Sequence, residues 1–119
     1  MHASWPYWGE IEQMAKRFPN VALDLAWSAM LGPVEAVRMI ASLITSVPTS
    51  KIMWGGDCYF AEESYGAYRQ FRRVLARALS ELVNADSLCE KESVEVAVQI
   101  LCRNVGDIYH QAQIVDPVV

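Results

Sequence analysis

Residues 52–58 of this chain read Ile52-Met53-Trp54-Gly55-Gly56-Asp57-Cys58. The first three are apolar residues of the kind that form a short buried strand, and the two glycines allow the backbone to turn tightly beside another group. The stretch therefore delivers one carboxylate, that of Asp57, at the end of a strand. In parallel α/β proteins this edge of the sheet gathers ligands and catalytic groups. Asp57 is thus the first candidate functional residue, and the alternative is that it caps the next helix or turn.

A second apolar strand is predicted upstream, at Val21–Ala26. It is apolar almost throughout, as expected for a parallel strand covered on both faces, and its exception, Asp24, needs a partner if it is buried. Between the two strands a helix is predicted to open at Pro33 and to end near Ser46. Strand, helix and strand in this order form a βαβ unit, so the second predicted strand, Lys51–Gly55, should run parallel to the first.

Helical spacing of apolar residues predicts four more helices around this unit. They are expected at Tyr7–Arg17, along the apolar stripe Tyr65–Leu82, at Glu90–Leu101, and in a last short turn that Asn104 caps and that ends near His110. Two strands cannot cover their own apolar faces. The fold class is therefore α/β, a single partial domain over residues 1–119 with two parallel strands and about five helices, and its exposed sheet edges should favour association.

Composition excludes several classes of protein. The chain has 119 residues, 53% hydrophobic and 20% charged, which argues against disorder, and its net charge of −4 gives no case for nucleic-acid binding. No apolar run is long enough for a membrane helix, and Met1–Pro6 does not resemble a signal peptide. Cys58, Cys89 and Cys102 have no zinc-site spacing, so free thiols in the cytoplasm are expected. Among the cations, Lys51 is expected at the surface.

Several short motifs occur in a definite order along the chain. They are Met1–Pro6, Phe18–Val21, Leu23–Leu25, Ile52–Asp57, Glu62–Ala67 and Asn104–Tyr109. Together they resemble the C-terminal part of the amidohydrolase-related family, which are metal-dependent TIM-barrel hydrolases. The resemblance covers nearly the whole chain. It implies that the chain is the C-terminal part of a (β/α)8 barrel, with Val21–Ala26 as the seventh strand and Lys51–Gly55 as the eighth.

The resemblance also implies a metal site. Asp57 matches the aspartate that ends the eighth strand, which in the family binds or neighbours the metal and takes the proton of the attacking water. His2 falls at the end of the sixth strand, where the family's histidine binds metal or contacts substrate. The implied cofactor is a divalent metal, zinc or manganese, and the implied partner is a small-molecule substrate. Trp5 and Trp27 are candidate walls of the substrate pocket, with ordinary packing as the alternative.

The metal ligands are where the chain departs from the family pattern. The family's site begins with His-x-His on the first strand and usually takes another histidine from the fifth, whereas this chain has only His2 and His110. A catalytic zinc normally has three protein ligands. The expected function is therefore that of a hydrolase segment, inactive alone, that a homo-oligomer, a complementing chain or a longer native protein completes. The alternative is a non-catalytic remnant that acts as a self-associating or partner-binding module.

Overall fold

The computed structural model describes residues 2–109, and the predicted role of His110 lies outside them. Within these residues there are two strands and six α-helices, the shortest of which was not predicted. The elements are α1 (Trp8–Arg17), β1 (Leu23–Asp24), α2 (Ser28–Leu31), α3 (Pro33–Ser46), β2 (Ile52–Met53), α4 (Ala61–Asn84), α5 (Glu90–Val98) and α6 (Asn104–Tyr109). A π-helical turn at Gln99–Arg103 joins α5 to α6, and 3-10 turns lie at His2–Ser4 and Thr49–Lys51. None of the helices described is long and apolar enough to cross a membrane.

The two strands pair in parallel, which confirms the predicted βαβ unit. Leu23 lies opposite Ile52 and Asp24 lies opposite Met53, with α3 as the crossover. Both strands are shorter than predicted, although the Leu25 amide still donates to the Met53 carbonyl at 2.9 Å. Within residues 2–109 the sheet has only these two strands, so the described part of the chain carries the α/β layering without a closed barrel.

The hydrophobic core lies where α3 and α4 pack on the sheet. Met39, Ile40 and Leu43 of α3 are fully buried, as is Ile52 of β2. The buried stripe of α4 recurs every three or four residues, as helical spacing requires, and consists of Ala67, Phe71, Val74, Leu75, Ala78, Leu79 and Leu82. The predicted stripe began too early, because Tyr65 is 63% exposed. The helix reaches the core only from its second turn onward.

The outer edge of β2, on the side away from β1, is covered by the terminal helix, which consists of the π-helical turn Gln99–Arg103 and α6. Met53 uses its carbonyl to bind β1, so the carbonyl of Ile52 and the amide of Trp54 face the other side. The Asn104 side chain donates to the Ile52 carbonyl at 2.7 Å, and the Trp54 amide donates to the Ile100 carbonyl at 3.1 Å. The expectation of an exposed edge is therefore wrong for β2, because the helix supplies one donor and one acceptor in place of a neighbouring strand.

Asn104 itself does not cap a helix, contrary to the sequence prediction. Its backbone is helical and continuous with the π-helical turn before it, and its side chain is 3% exposed. Its amide group donates to the carbonyl oxygens of Thr49 and Ile52, at 2.6 Å and 2.7 Å. The residue therefore fixes the start of β2 to the terminal helix.

Lys51 also has a different role from the one expected of a surface residue. Its Nζ donates to the carbonyl oxygens of Ala15 and Phe18, both at 2.8 Å. These carbonyls lie at the end of α1, where backbone acceptors lack helical partners and positive charge is favoured. Lys51 therefore ties α1 to the segment that leads into β2.

Candidate functional site

The candidate site lies at the edge of the sheet where both strands end. Trp27 follows β1 and Asp57 follows β2, and the turn that contains His2 packs beside them. His2 Nε2 lies 2.9 Å from Asp57 Oδ2, a hydrogen bond between residues 55 positions apart in the sequence. The side chains are 38% and 43% exposed, so the pair is open to solvent and to a ligand. The structure thus brings together the two residues for which the sequence suggested metal ligation.

Trp27 holds the backbone of Asp57 through its indole. Its Nε1 donates to the Asp57 carbonyl at 2.6 Å. Both residues have a left-handed backbone, with φ of 59° at Trp27 and 47° at Asp57. A left-handed conformation is unfavourable for residues with a side chain, so surrounding contacts must maintain it. The indole bond is one such contact, and it links the loops that follow the two strands.

His2 is presented by a tight turn that is anchored in the core. His2, Ala3 and Ser4 all have positive φ, and Ala3 is 2% exposed. The Trp5 amide donates to the His2 carbonyl at 2.9 Å and closes the turn. The buried Ala3 methyl group therefore fixes a turn whose first residue, His2, faces Asp57.

Trp5 lies against the beginning of α3. A β-carbon placed on Gly32 would come within 2.9 Å of Trp5 Cζ2, so the indole occupies the space that a side chain at position 32 would need. Trp5 is half-buried and packs on the core. It adjoins His2 through the backbone, whereas Trp27 contacts Asp57 directly.

Asp24 and the two glycines shape the floor of the site. Asp24 Oδ1 accepts hydrogen bonds from the amides of Ala26, at 2.9 Å, and Gly55, at 3.1 Å. A β-carbon on Gly55 would lie 3.1 Å from Asp24 Oδ2, and one on Gly56 would lie 2.9 Å from Ser64 Oγ. Both glycines therefore allow a neighbouring side chain to approach the backbone closely. The sequence signal for this arrangement was a lone carboxylate in an apolar strand.

The side chains of His2 and Asp57 are suitable ligands for a divalent metal, but two ligands are too few for a catalytic site. Imidazole nitrogen and carboxylate oxygen are the donors that zinc and manganese take in proteins. Within residues 2–109, no group of three His, Cys, Asp or Glu side chains is close enough to hold an ion. The Sγ of the neighbouring Cys58 donates to the Gly56 carbonyl at 2.9 Å. The described residues therefore offer two ligands of the right kind.

Two aromatic residues beside the site did not stand out in the sequence. Tyr59 is 91% exposed and Phe60 is 70% exposed, directly after the Asp57 turn. The Tyr59 amide donates to Glu63 Oε2 at 3.0 Å, which holds the backbone while both rings face solvent. No periodicity marks these residues, because they precede α4 and belong to neither face of it.

Comparison with known proteins gives two matches. The family model described as amidohydrolase matches residues 1–94 of the chain. The chain is also 29% identical over 111 residues to Protein fluG of Emericella nidulans. The aligned residues make up 92% of this chain and 13% of that protein. The chain therefore spans only a small part of the length of this relative. No solved structure matches the chain.

Proposed function

Because this chain belongs to the amidohydrolase family, we propose that it is the C-terminal segment of a metal-dependent hydrolase that hydrolyses or decarboxylates a small substrate. The contact of 2.9 Å between His2 and Asp57, at the carboxyl ends of two parallel strands, is the observation that supports this most directly. His2 and Asp57 would hold a zinc or manganese ion. Such an ion lowers the pKa of a bound water towards neutrality and polarises a carbonyl group.

The residues of this chain take distinct parts in the proposal. Asp57 accepts the proton of the attacking water, since its carboxylate is half-exposed and already accepts a hydrogen bond from the imidazole. His2 orients that carboxylate while the metal is absent, and its Nε2, once deprotonated, would hold the metal instead of the hydrogen bond. Trp27 fixes the Asp57 backbone and, with Trp5, borders the substrate. The proposed reaction thus takes place at the edge of the sheet where the loops after β1 and β2 meet.

We propose further that the chain is inactive alone. A catalytic zinc normally needs three protein ligands, and His2 and Asp57 supply two. The remaining ligands come from outside residues 2–109, through a second copy or a complementing chain in the cytoplasm, or through the rest of a longer native protein. Light scattering over a concentration series tests the first of these sources, because a second copy predicts a dimer or larger species, whereas a monomer at all concentrations excludes it.

The metal site is testable on the chain as it is. Manganese is paramagnetic and broadens the NMR signals of nearby nuclei even when it binds weakly. Micromolar Mn²⁺ added to the ¹⁵N-labelled chain is expected to broaden His2 and Asp57 selectively. Asp57→Asn should remove this effect, because a neutral amide is a poor ligand for a divalent cation.

Asp86→Asn is the matched control, since Asp86 is also an exposed aspartate with a left-handed backbone. This variant should retain the broadening at His2 and Asp57. Uniform broadening of all signals, or selective broadening that survives Asp57→Asn, would remove the basis of the proposal. Zinc content of the purified chain, measured by elemental analysis for the same variants, provides an independent check.

A further inference from the structure

We propose that Asp24 is a positioning residue that sets the geometry of the His2–Asp57 pair. Its hydrogen bonds join the two backbone segments that carry the site, one after each strand. The inference rests on the proposed function of the pair, but its test reads the positions of side chains and does not require activity.

Two series of contacts connect Asp24 with Asp57. In the first, Asp24 Oδ1 accepts a hydrogen bond from the amide of Gly55 at 3.1 Å, two residues before Asp57. In the second, the same oxygen accepts a hydrogen bond from the amide of Ala26 at 2.9 Å, directly before Trp27. The Trp27 indole then donates to the Asp57 carbonyl at 2.6 Å. The contacts form a closed ring that starts and ends at one carboxylate oxygen.

The ring explains why a charged residue stands in an apolar strand. Asp24 is half-buried between Leu23 and Leu25, which are almost fully buried, and a carboxylate in that place needs hydrogen-bond donors. Both donors that reach Oδ1 are backbone amides beyond the ends of the strands. Hydrogen bonds to an ionised acceptor are stronger than neutral ones. Asp24 therefore holds the strand ends in one arrangement, which a neutral apolar side chain could not do.

Gly55 has a complementary role. Because a β-carbon on Gly55 would lie 3.1 Å from Asp24 Oδ2, a side chain there requires the carboxylate to shift by a few tenths of an ångström. Asp24 and Gly55 thus act as one unit. A substitution at either position should disturb the same contacts, through loss of the acceptor in one case and through steric displacement in the other.

The test compares two substitutions at Asp24. Leucine has a similar size but accepts no hydrogen bond, whereas asparagine keeps one acceptor oxygen. The readouts are the NMR signals of the Trp27 indole Nε1–H and of the His2 ring nitrogens, with Asp57→Ala as the reference for a His2 ring without its partner. Asp24→Leu is expected to move the His2 signals towards that reference and to move the Trp27 indole signal away from its wild-type position, because its acceptor, the Asp57 carbonyl, shifts. Asp24→Asn should restore both towards wild type.

Gly55→Ala tests the same unit without removing the carboxylate. It should move the Trp27 and His2 signals in the same direction as Asp24→Leu but less far, and it remains informative if the leucine variant fails to fold. Gly66→Ala is the matched control, because a β-carbon on Gly66 meets nothing within 4 Å. Where Mn²⁺ binds at His2 and Asp57, Asp24→Leu should weaken it by about tenfold, as loss of groups that orient metal ligands does elsewhere.

The possible outcomes separate this inference from the proposed function. If Asp24→Leu or Gly55→Ala is folded by circular dichroism and leaves the His2 and Trp27 signals in place, Asp24 only caps the strand ends and the inference is wrong. If the signals move as expected but Mn²⁺ never binds the wild-type pair, the proposed metal site fails and the positioning role of Asp24 stands.

Discussion

Replacement of Asn104 by alanine is expected to lower the free energy of unfolding by about 2–4 kcal/mol. The side-chain amide donates to Thr49 and Ile52 at 2.6 Å and 2.7 Å, and Asn104 is 3% exposed. Each of these bonds contributes about 1 kcal/mol net, and each carbonyl left without a donor adds a penalty of about 1 kcal/mol or more where water cannot reach it. Ile52 is fully buried, so its carbonyl should carry the larger penalty.

Urea unfolding followed by far-ultraviolet circular dichroism measures this difference. Asn84→Ala is the matched control, because Asn84 is exposed at the end of α4, and its effect should stay within about 0.5 kcal/mol. Asn104→Asp should destabilise more than Asn104→Ala at neutral pH, since a carboxylate would face two carbonyl oxygens. If Asn104→Ala changes the free energy of unfolding no more than the control, the terminal helix does not hold the edge of β2.

The other predictions concern one ion pair within α1 and the contact of α1 with Lys51. Lys16 Nζ donates to the buried Glu12 carboxylate at 2.5 Å and lowers its pKa, so Glu12→Gln should destabilise by about 1 kcal/mol at pH 7. A carboxylate whose pKa is lower in the folded than in the unfolded state stabilises the fold at pH values above its unfolded-state pKa. This stabilisation is lost as the pH falls towards the folded-state pKa. The difference from wild type should therefore be constant between pH 7 and pH 5 and should shrink below about pH 4.3, with Glu10→Gln as the exposed control. Lys51→Met should cost about 1–2 kcal/mol in urea unfolding through the lost contacts with α1, and Lys91→Met, at an exposed position, should cost almost nothing.

Local pattern was enough to predict the elements that position the site. The apolar run before Gly55 and the helical spacing between the strands predicted a parallel βαβ unit, which the pairing of Leu23 with Ile52 confirms. The same reasoning placed Asp57 at the end of β2. The motif resemblance added His2, which periodicity alone would not have connected to a residue 55 positions away.

The contacts that hold these elements together could not be predicted in the same way. Lys51 had the pattern of a surface residue and Asn104 that of a helix cap, yet both donate to backbone carbonyls more than thirty positions away in sequence. Such bonds depend on which carbonyls remain without partners once the chain is packed. The residues that neighbour Lys51 and Asn104 in the sequence do not indicate which carbonyls these will be.

The covered edge of β2 bears on how the proposed site is completed. In a closed barrel every strand has a neighbour on both sides. If β2 is the last strand of such a barrel, Ile100 and Asn104 occupy the place of the first strand, and that strand can pair with β2 only after the terminal helix moves. The free energy lost in Asn104→Ala then gives a minimum estimate of what the displacement requires. A complementing chain must exceed this value through its own pairing with Ile52 and Trp54, whereas ligands that reach His2 and Asp57 from above the loops face no such barrier.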